Sequence, residues 1–384
     1  MEKRKKIVFI NPTLAIGGLE RALVNLANSI DNNKYIIVIK TLFWDDKLAC
    51  ELNNEIRHEI IFKPIKIMGL NIKGLRRFYS LLIKMLPSKL LYKIILGKEK
   101  YDIEIAYYWG ECAKIISGST SKAKKILFIH SNINYKNNGF HVGFKNNNKA
   151  MEATNKFNDI IFVSRPIKEE FLNKTNITIN THVINNINNI KEIKDKSIEK
   201  IDINGYENKL IICTIGRLVE VKGIDRALEA CRRLNNEEYI YEYWIIGSGE
   251  KEKDIKKYVN ENKLKNIRVL GNKDNPYKYL AKSSIYLCSS YAEGLSCTVA
   301  EAIILNIPII STDCGGPKEY IGNSEYGMLV ENTVEGIYKG LKNILDDKNM
   351  LNELKKKTIK RFEYLEPERI INQIEKVFEG KKYE

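Results

Sequence analysis

The segment Tyr291–Ala302 carries two carboxylates around a predicted helix start. Gly294 allows close approach of the backbone to a ligand, and Ser296 is a suitable N-cap. The first amides of the helix would then face an anion, namely those of Leu295, Ser296, Cys297 and Thr298. Glu293 precedes the helix and Glu301 lies about one turn into it, so the two carboxylates could hold sugar and ribose hydroxyls. The plainer interpretation is a helix-capping loop with a surface glutamate.

Two cations follow an earlier apolar run. Leu210–Ile215 is a strand candidate, Gly216 and Arg217 come directly after it, and Lys222 lies in the same loop. Ligands of open α/β sheets bind where the carboxyl ends of strands meet, so Arg217 and Lys222 would place two cations in one cleft. A diphosphate leaving group needs such cations, because charge accumulates on it as its bond breaks. In isolation the pair is more often two solvated loop residues.

Two further features lie in the first third of the chain. His130 ends the strand candidate Ile126–His130, where a lone histidine is more often structural than chemical. The pair Gly17-Gly18 follows the apolar run Ile7–Ile10. Its loop is not a G-x-G-x-x-G fingerprint, so binding of a nicotinamide dinucleotide gains no support from it.

Strand and helix patterns alternate along the chain and would position these residues. Continuous Ile/Val/Phe runs separated by helices are typical of a parallel sheet that is covered on both faces. The polar tract Asn185–Asn208 interrupts this rhythm and is interpreted as an inter-domain linker. The sequence therefore predicts an α/β protein with two doubly wound domains, over 1–190 and 200–365. A last helical stretch, about 366–384, would pack back on the first domain.

The composition is that of a globular protein: 384 residues, 44% hydrophobic and 29% charged. A formal net charge of +15 favours an anionic partner without choosing among phosphate-bearing substrates, anionic lipid and nucleic acid. The seven cysteines form no CxxC pair, which argues against a disulfide framework or zinc site. The first apolar run is too short for a signal peptide, and no run approaches the ~20 apolar residues that span a bilayer. A cytoplasmic location is expected.

The segments that carry chemistry resemble one known family. The run EGLSCTVAEAIILNIPIISTDCGGPKEYI, with Glu293 and Glu301 in E-x7-E spacing, resembles the donor-binding block of the retaining GT-B glycosyltransferases of group 1, family four. Further matches are Gly216-Arg217-Leu218 with Lys222-Gly223, Ile246-Gly247-Ser248-Gly249-Glu250, and Phe9-Ile10-Asn11 with Gly17-Gly18-Leu19-Glu20-Arg21. The resemblance is strong over Leu210–Val330, moderate over the first thirty residues, and thin between Phe43 and Tyr101.

The resemblance implies a GT-B fold, in which two Rossmann-like doubly wound domains face each other across a cleft. It implies that Arg217 and Lys222 bind the diphosphate. It also implies that Glu293 binds the transferred sugar and that Glu301 binds the ribose. His130 resembles the N-domain histidine that reaches the donor sugar, which reverses the structural interpretation given above. The implied donor-binding positions are Gly17, Gly18, Gly216, Gly247, Gly249, Asn272, Gly294, Leu295, Ser296, Thr298 and Glu301.

The implied activity is a retaining hexosyl transfer from a nucleotide diphosphate sugar, with a UDP-sugar as the first expectation and no metal or other cofactor. The acceptor would be a carbohydrate or lipid-linked molecule of the cell envelope: lipid-linked oligosaccharide, capsule, lipopolysaccharide or teichoic polymer. Nucleic acid is not expected as a partner, since no recognised nucleic-acid module is visible. Ser296-Cys297 stands where many relatives have Pro, which leaves the choice of sugar open.

Other functions compete with this one. One alternative is a binding protein at the membrane surface that has the GT-B fold but no catalytic activity. Such a protein would be expected to have lost Glu293 or Arg217, and this chain has both. A sugar phosphorylase on a similar fold would usually bring a cofactor-anchoring lysine and a much longer chain.

Residues 72–100 form a basic amphipathic stretch that Pro87 divides into two predicted helices. It carries eight cations against Glu99 alone: Lys73, Arg76, Arg77, Lys84, Lys89, Lys93, Lys98 and Lys100. Such a stretch either lies in an anionic membrane interface or packs its apolar faces into the core with solvated cations outside. The family resemblance favours the membrane, and a peripheral position on the inner face of the cell membrane is expected.

Overall fold

The computed structural model describes residues 3–64, 66–67, 70–71, 74–131 and 143–381. The chain divides into two compact units. The first comprises the chain up to Ile187 together with the segment from Pro367 onwards, and the second is Asn188–Glu366.

The first unit alternates strands with helices, as the apolar runs predict. Its elements in the N-terminal part are β1 (Lys5–Asn11), α1 (Gly18–Ser29), β2 (Tyr35–Thr41), β3 (Arg57–Ile60), β4 (Lys66–Ile67), β5 (Leu70–Asn71), α2 (Leu75–Met85), α3 (Ser88–Ile95), β6 (Ile103–Ala106), α4 (Glu111–Ile116), β7 (Lys124–Ile129), α5 (Asn147–Thr154), β8 (Asp159–Phe162), α6 (Arg165–Asn173) and β9 (Asn180–Val183).

Seven of these strands form a parallel sheet within the described residues, in the order β3-β2-β1-β6-β7-β8-β9. The register pairs Ile7 of β1 with Ile37 on one side and with Ile103 on the other. The strand order reverses between β1 and β6, so the loops after these strands diverge and leave a crevice at the carboxyl edge.

The second unit repeats this plan. Its elements are α7 (Ile190–Ser197), β10 (Leu210–Ile215), α8 (Ile224–Asn235), β11 (Tyr241–Ile246), α9 (Glu252–Glu261), β12 (Ile267–Gly271), α10 (Tyr277–Leu280), β13 (Ile285–Cys288), α11 (Cys297–Ile304), β14 (Ile309–Thr312), α12 (Gly316–Ile321), β15 (Met328–Val330), α13 (Val334–Asp346) and α14 (Lys348–Lys360). Short 3₁₀ turns lie at Glu220–Lys222 and Phe362–Leu365.

The second sheet has six parallel strands among the described residues, in the order β12-β11-β10-β13-β14-β15. Counted along the unit, this is the order 3-2-1-4-5-6 of the Rossmann fold. The reversal falls between β10 and β13, so ligand-binding loops are expected after these two strands.

The central strands of the second sheet are buried on both faces, which explains their continuous apolar sequences. Along β10, Ile211 and Cys213 pack into one core cluster, and Ile212 packs into the cluster on the other face. β11 follows the same alternation, with Trp244 on one side and Tyr243 on the other. Helices cover both sides of the sheet.

The C-terminal helix α15 (Pro367–Glu379) belongs to the first unit. Its apolar face enters the core that surrounds β1 and α1, through Ile370, Ile374, Val377 and Phe378. The rings of Phe378 and Tyr35 meet edge to face with centroids 5.7 Å apart.

The prediction of a linker over Asn185–Asn208 was wrong in its middle part. Ile190–Ser197 is helix α7, and Ile193 is buried in a core cluster of the second unit. The Asn189 side chain caps this helix by accepting a hydrogen bond from the Glu192 N–H at 3.1 Å. The units therefore divide between Ile187 and Asn188, not across residues 190–200.

The predicted helices on either side of Pro87 are α2 and α3. Ile72 and Lys73 of the predicted basic stretch lie outside the described residues. Within the described ranges, every helix is too short or too polar to cross a membrane.

Candidate active site

The second sheet brings two loops together at its reversal point. β10 and β13 are neighbours, and Lys222 lies in the loop after β10. The hydroxyl of Ser289, directly after β13, donates a hydrogen bond to the Lys222 carbonyl at 2.9 Å. The Tyr291 N–H donates to the Val221 carbonyl at 2.8 Å. Hydrogen bonds to two main-chain carbonyls therefore hold together two segments that are far apart in the sequence.

Lys222 and Glu293 form an ion pair in this crevice, in which the lysine Nζ donates to Oε1 of the glutamate. The Ser290 hydroxyl donates to the same oxygen at 2.7 Å. Only 23% of the lysine side chain and 11% of the glutamate side chain are exposed. Burial is the largest single influence and lowers the pKa of Lys222, but attraction to Glu293 and Cys288 and the hydrogen bond to Glu293 together raise the pKa above its ordinary value. The lysine is therefore charged at neutral pH.

The backbone of Glu293 is fixed by the loop after β14. Its N–H donates to the Cys314 carbonyl at 2.9 Å, and its carbonyl accepts from the Gly316 N–H at 2.9 Å. These bonds make a parallel bridge between Glu293 and Gly315. The glutamate thus sits on rigid backbone beside the helix that follows.

Arg217 lies beside Lys222 and is exposed. No described residue pairs with its guanidinium. Repulsion from Arg217 is one of the influences that lower the pKa of Lys222, so the two cations lie within electrostatic range of each other. This arrangement suits an anion of more than one negative charge.

Helix α11 begins next to the loop after β10. The Thr298 hydroxyl donates to the Ile215 carbonyl at 3.5 Å, which places the first turn of the helix beside the end of β10. Ser296 occupies the N-cap position as predicted, but its side chain makes no capping hydrogen bond. The first amides of a helix have no partners within the helix. The positive end of α11 is thus directed at the region of the two cations.

Glu301 lies in the second turn of α11 and is partly exposed. Burial raises the pKa of the Tyr286 hydroxyl, and the negative charges of Glu293 and Glu301 raise it further. Both carboxylates therefore lie within electrostatic range of one tyrosine. The E-x7-E spacing brings them to the same region of the second unit.

The glycines after β10 and β11 let two loops touch. A Cβ on Gly247 would lie 1.9 Å from the Gly216 carbonyl oxygen, and a Cβ on Gly249 would lie 2.4 Å from the Leu218 carbonyl oxygen. The Gly247 N–H donates to the Gly271 carbonyl at 2.8 Å. Gly294 and Leu295 lie between Glu293 and the start of α11, and Asn272 is exposed just after β12. The predicted donor-binding positions of the second unit therefore follow four neighbouring strands, β12, β11, β10 and β13, or lie in α11.

The remaining predicted residues lie in the first unit. Gly17 is the N-cap of α1 and Gly18 is its first residue. Thr13, in the loop before them, donates to Oε1 of Glu20 at 3.4 Å. His130 follows β7, which is separated from β1 by β6 alone. The Gly17-Gly18 loop and His130 therefore share the carboxyl edge of the first sheet.

His130 is held by aromatic contacts. Its ring lies 4.5 Å from the Tyr107 ring and is stacked on Phe128 at 5.9 Å between centroids. Both ring nitrogens are buried, and within the described ranges neither has a partner at hydrogen-bond geometry. Burial lowers the pKa of His130 to about 3, against a small opposing effect of the Tyr107 backbone. The imidazole is therefore neutral at physiological pH.

The sequence interpretation overlooked Ser290 and Arg226. Ser290 could have been found, because it follows the strand Ile285–Cys288 at its carboxyl end. Arg226 is buried in α8 and donates to the Ser289 carbonyl and to Oδ1 of Asn332, the latter at 2.7 Å. Its guanidinium lies 3.7 Å from the centre of the Tyr291 ring. It therefore supports the loop that carries Glu293, a role with no local sequence signal.

Neither a metal ion nor the thiol at the start of α11 is part of the chemistry predicted for the site. No group of three or more His, Cys, Asp or Glu side chains there is arranged to hold a metal ion. Burial raises the pKa of Cys297, the first residue of α11, to about 12. This thiol is therefore protonated at neutral pH and is a poor nucleophile.

Comparison with known proteins identifies the class of the second unit. Residues 194–361 match the family described as Glycosyl transferases group 1. This match covers the loops after β10, β11 and β13 and the whole of α11. Over residues 194–361 the second unit is therefore similar to the glycosyl transferases of group 1.

Curated relatives are named as glycosyl-transferring enzymes. An uncharacterized glycosyltransferase of Methanocaldococcus jannaschii is 32% identical over 43% of this chain and 43% of its own length. The N-acetylgalactosamine-N,N'-diacetylbacillosaminyl-diphospho-undecaprenol 4-alpha-N-acetylgalactosaminyltransferase of Campylobacter jejuni is 28% identical over 46% of this chain and 47% of its own length. The chain thus spans about half the length of the curated relatives it matches.

Solved structures show that the fold is GT-B, with two Rossmann-like domains. The crystal structure of Anabaena HepE in complex with UDP superposes with a TM-score of 0.75 at 16% identity. It covers 98% of this chain and 100% of the HepE chain. The predicted fold class is confirmed.

Proposed function

We propose that the chain is a retaining, metal-independent glycosyltransferase that uses a nucleotide diphosphate sugar. One observation carries this proposal: the Lys222–Glu293 pair and Arg217 lie at the reversal point of the second sheet, beside the first turn of α11. Two cations and a helix N-terminus in one crevice match the charge that develops on a departing diphosphate. UDP-sugars are the first donors to test, because HepE was solved with UDP.

In the proposed mechanism, Arg217 and Lys222 bind the diphosphate together with the amides at the start of α11. Lys222 then exchanges part of its contact with Glu293 for the phosphate, which frees Glu293 to accept hydrogen bonds from hydroxyls of the transferred sugar. Glu301 binds the ribose diol. The acceptor hydroxyl attacks on the face from which the nucleotide departs, so the anomeric configuration is retained.

The first unit has a separate role in this proposal. The neutral His130 contacts the sugar as a hydrogen-bonding group, because its lowered pKa excludes a charged imidazole at neutral pH. The Gly17-Gly18 loop contacts the donor near the phosphates and caps the acceptor side.

We further propose an acceptor of the cell envelope, either carbohydrate or lipid-linked. The relative from Campylobacter jejuni supports this, since its name specifies a diphospho-undecaprenol acceptor. In this proposal the chain works in the cytoplasm, peripherally at the inner face of the cell membrane, and residues 72–100 face the anionic surface.

A paired assay tests the transfer. Thermal shifts are measured with UDP-, GDP- and ADP-sugars, because a ligand stabilises the folded state by RT ln(1 + [L]/Kd). Nucleotide release is then followed with the donor that binds. Stabilisation and release by the wild type, both lost in Lys222→Ala, are expected. Stabilisation without release over a panel of envelope acceptors favours the inactive binding protein, and no shift with any sugar nucleotide refutes donor binding.

A further inference from the structure

Two consecutive helices of the first unit expose a row of apolar side chains, which we call the ridge. Phe78, Leu81 and Met85 lie on one side of α2 at spacings of three and four residues, and Leu90 and Ile94 are one turn apart on α3. Their exposed fractions are 58%, 55%, 65%, 43% and 56%. Within the described residues, these five are nearly half of the eleven large apolar side chains that are exposed. Such clustering marks an interaction surface, whereas single exposed residues do not.

The two helices also have buried faces, so the ridge is not a core face that failed to pack. Ile83 of α2 and Leu91 and Ile95 of α3 are buried. The Lys114 ammonium of α4 donates to the Lys84 carbonyl at 2.6 Å, which fixes the last turn of α2. The ridge therefore comprises the exposed sides of two helices that each pack on α4.

Cations flank the ridge. The exposed basic residues between Leu75 and Ile95 are Arg76, Arg77, Lys84, Lys89 and Lys93, and this interval contains no Asp or Glu. Arg76 and Arg77 line an open pocket together with Gly74 and Ser80. This surface combines apolar side chains with positive charges and carries no negative charge. It is complementary to a layer that has anionic groups at its surface and an apolar interior.

We propose that the ridge inserts into the interfacial region of a bilayer that contains anionic lipid, while the five cations bind the head-group phosphates. A second copy of the chain fits less well, because a two-fold symmetric contact would place the five cations against their own equivalents. This surface lies in the first unit and needs no nucleotide sugar. The inference rests on the peripheral position proposed above, but membrane attachment succeeds or fails separately from the proposed sugar transfer.

Site-specific fluorescence tests insertion directly. Met85→Cys and Leu81→Cys are each made in a Cys50→Ser background, since Cys50 is exposed, and are labelled with an environment-sensitive dye. The control is Ile198→Cys, because Ile198 is 84% exposed in the second unit. A blue shift is expected at both ridge positions on vesicles of phosphatidylglycerol and phosphatidylcholine, and none is expected at the control. No shift at either ridge position, or an equal shift at residue 198, overturns the proposal.

Flotation with the same vesicles separates the apolar and the electrostatic contributions. Leu81→Ser with Met85→Ser should weaken vesicle binding at least tenfold, because inserted side chains leave water. Ile198→Ser with Ile240→Ser, which remove two exposed isoleucines from the second unit, should change nothing. Arg76→Gln, Arg77→Gln and Lys84→Gln together should weaken binding about a hundredfold at low salt, roughly fivefold per cation. The matched charge control is Lys355→Gln, Lys356→Gln and Lys360→Gln, which should retain binding.

Two measurements on the same variants complete the test. Circular dichroism must show that the Leu81→Ser, Met85→Ser variant unfolds at the same temperature as the wild type, so that a loss of vesicle binding does not reflect a loss of folding. If this variant unfolds, the variant Leu81→Gln with Met85→Gln takes its place. Donor stabilisation in solution should be equal in wild type and ridge variant. If the wild type is instead a dimer in solution that the ridge substitutions dissociate, and it does not float, the ridge is a subunit interface and the proposal is wrong.

Discussion

The ammonium of Lys222 and the hydroxyl of Ser290 donate to the same carboxylate oxygen of Glu293. The lysine comes from the loop after β10 and the other two residues from the loop after β13, so a single oxygen joins the two sides of the reversal point. Among the described residues, no side chain bonds to the other carboxylate oxygen, which is left for further partners. Glu293 is therefore oriented and partly available before any donor arrives.

Removal of either charge should abolish transfer. Lys222→Ala removes a cation from the diphosphate, and Glu293→Ala removes the acceptor of the sugar hydroxyls. Each change also leaves the other largely buried charge unpaired, at a cost of about 1–3 kcal/mol in the free energy of unfolding. Initial rates and urea unfolding measure the two effects. Near-normal turnover in either variant would contradict the assignment of the site.

The paired variant Lys222→Met with Glu293→Gln is the control for these losses. It should be more stable than the less stable single variant, because neither buried charge is left alone. Its turnover should stay as low as that of the single variants. Recovery of both stability and turnover would show that the pair is only structural.

Ser290→Ala should lower kcat about tenfold, since a hydrogen bond to a charged group contributes roughly 1.5–3 kcal/mol. Ser283→Ala is the matched control, because Ser283 is also a buried serine of this unit and donates to the Leu280 carbonyl at 2.6 Å. Steady-state kinetics with the donor varied distinguishes a loss in kcat from a change in KM. Equal effects of the two substitutions would remove Ser290 from the mechanism.

Gly247→Ala should destabilise the fold and weaken donor binding. The new Cβ would lie 1.9 Å from the Gly216 carbonyl oxygen, and Gly247 has a φ of 138° that side chains rarely adopt. Gly271→Ala is the control, because Gly271 also has a positive φ but open space around its Cβ position. Its cost is about 1 kcal/mol from the backbone alone, and Gly247→Ala should cost clearly more. Thermal unfolding with and without donor compares them, and equal costs would refute the predicted contact.

His130 should make the protein sensitive to acid. Its pKa is about 3 in the folded state, whereas an unfolded histidine has a pKa near 6.5. Between these values the unfolded state binds more protons, so this residue reduces stability as the pH falls below about 6.5, and the reduction levels off near pH 3.

His130→Phe keeps a ring of similar shape without the titration. As the pH falls, the free energy of unfolding of the wild type should decrease relative to that of the variant, by up to roughly 1 kcal/mol per pH unit. Urea unfolding over a pH series measures it. A difference that does not depend on pH would mean that the imidazole has an ordinary pKa.

Much of the architecture was predictable because its signals are local. Buried strands such as β10 and β13 are continuous apolar runs, and the loops after them carry Gly216, Arg217 and Glu293. The short strands β3 and β15 were not predicted, since each has three or four residues and lies at the edge of a sheet. Helix α7 was hidden among Asn and Lys because its burial depends mainly on Ile193.

The sequence by itself determined the two-sheet architecture and the types of residue at the strand ends, since hydrophobic periodicity and loop chemistry act over a few neighbouring residues. The tertiary structure alone decided that Lys222 reaches Glu293 across 71 residues and that Ser290 meets the same oxygen. It also decided which apolar side chains of α2 and α3 stay exposed as the ridge. These outcomes depend on the order of the strands and on which faces of the helices pack against other elements. Both are determined by the packing of the whole unit.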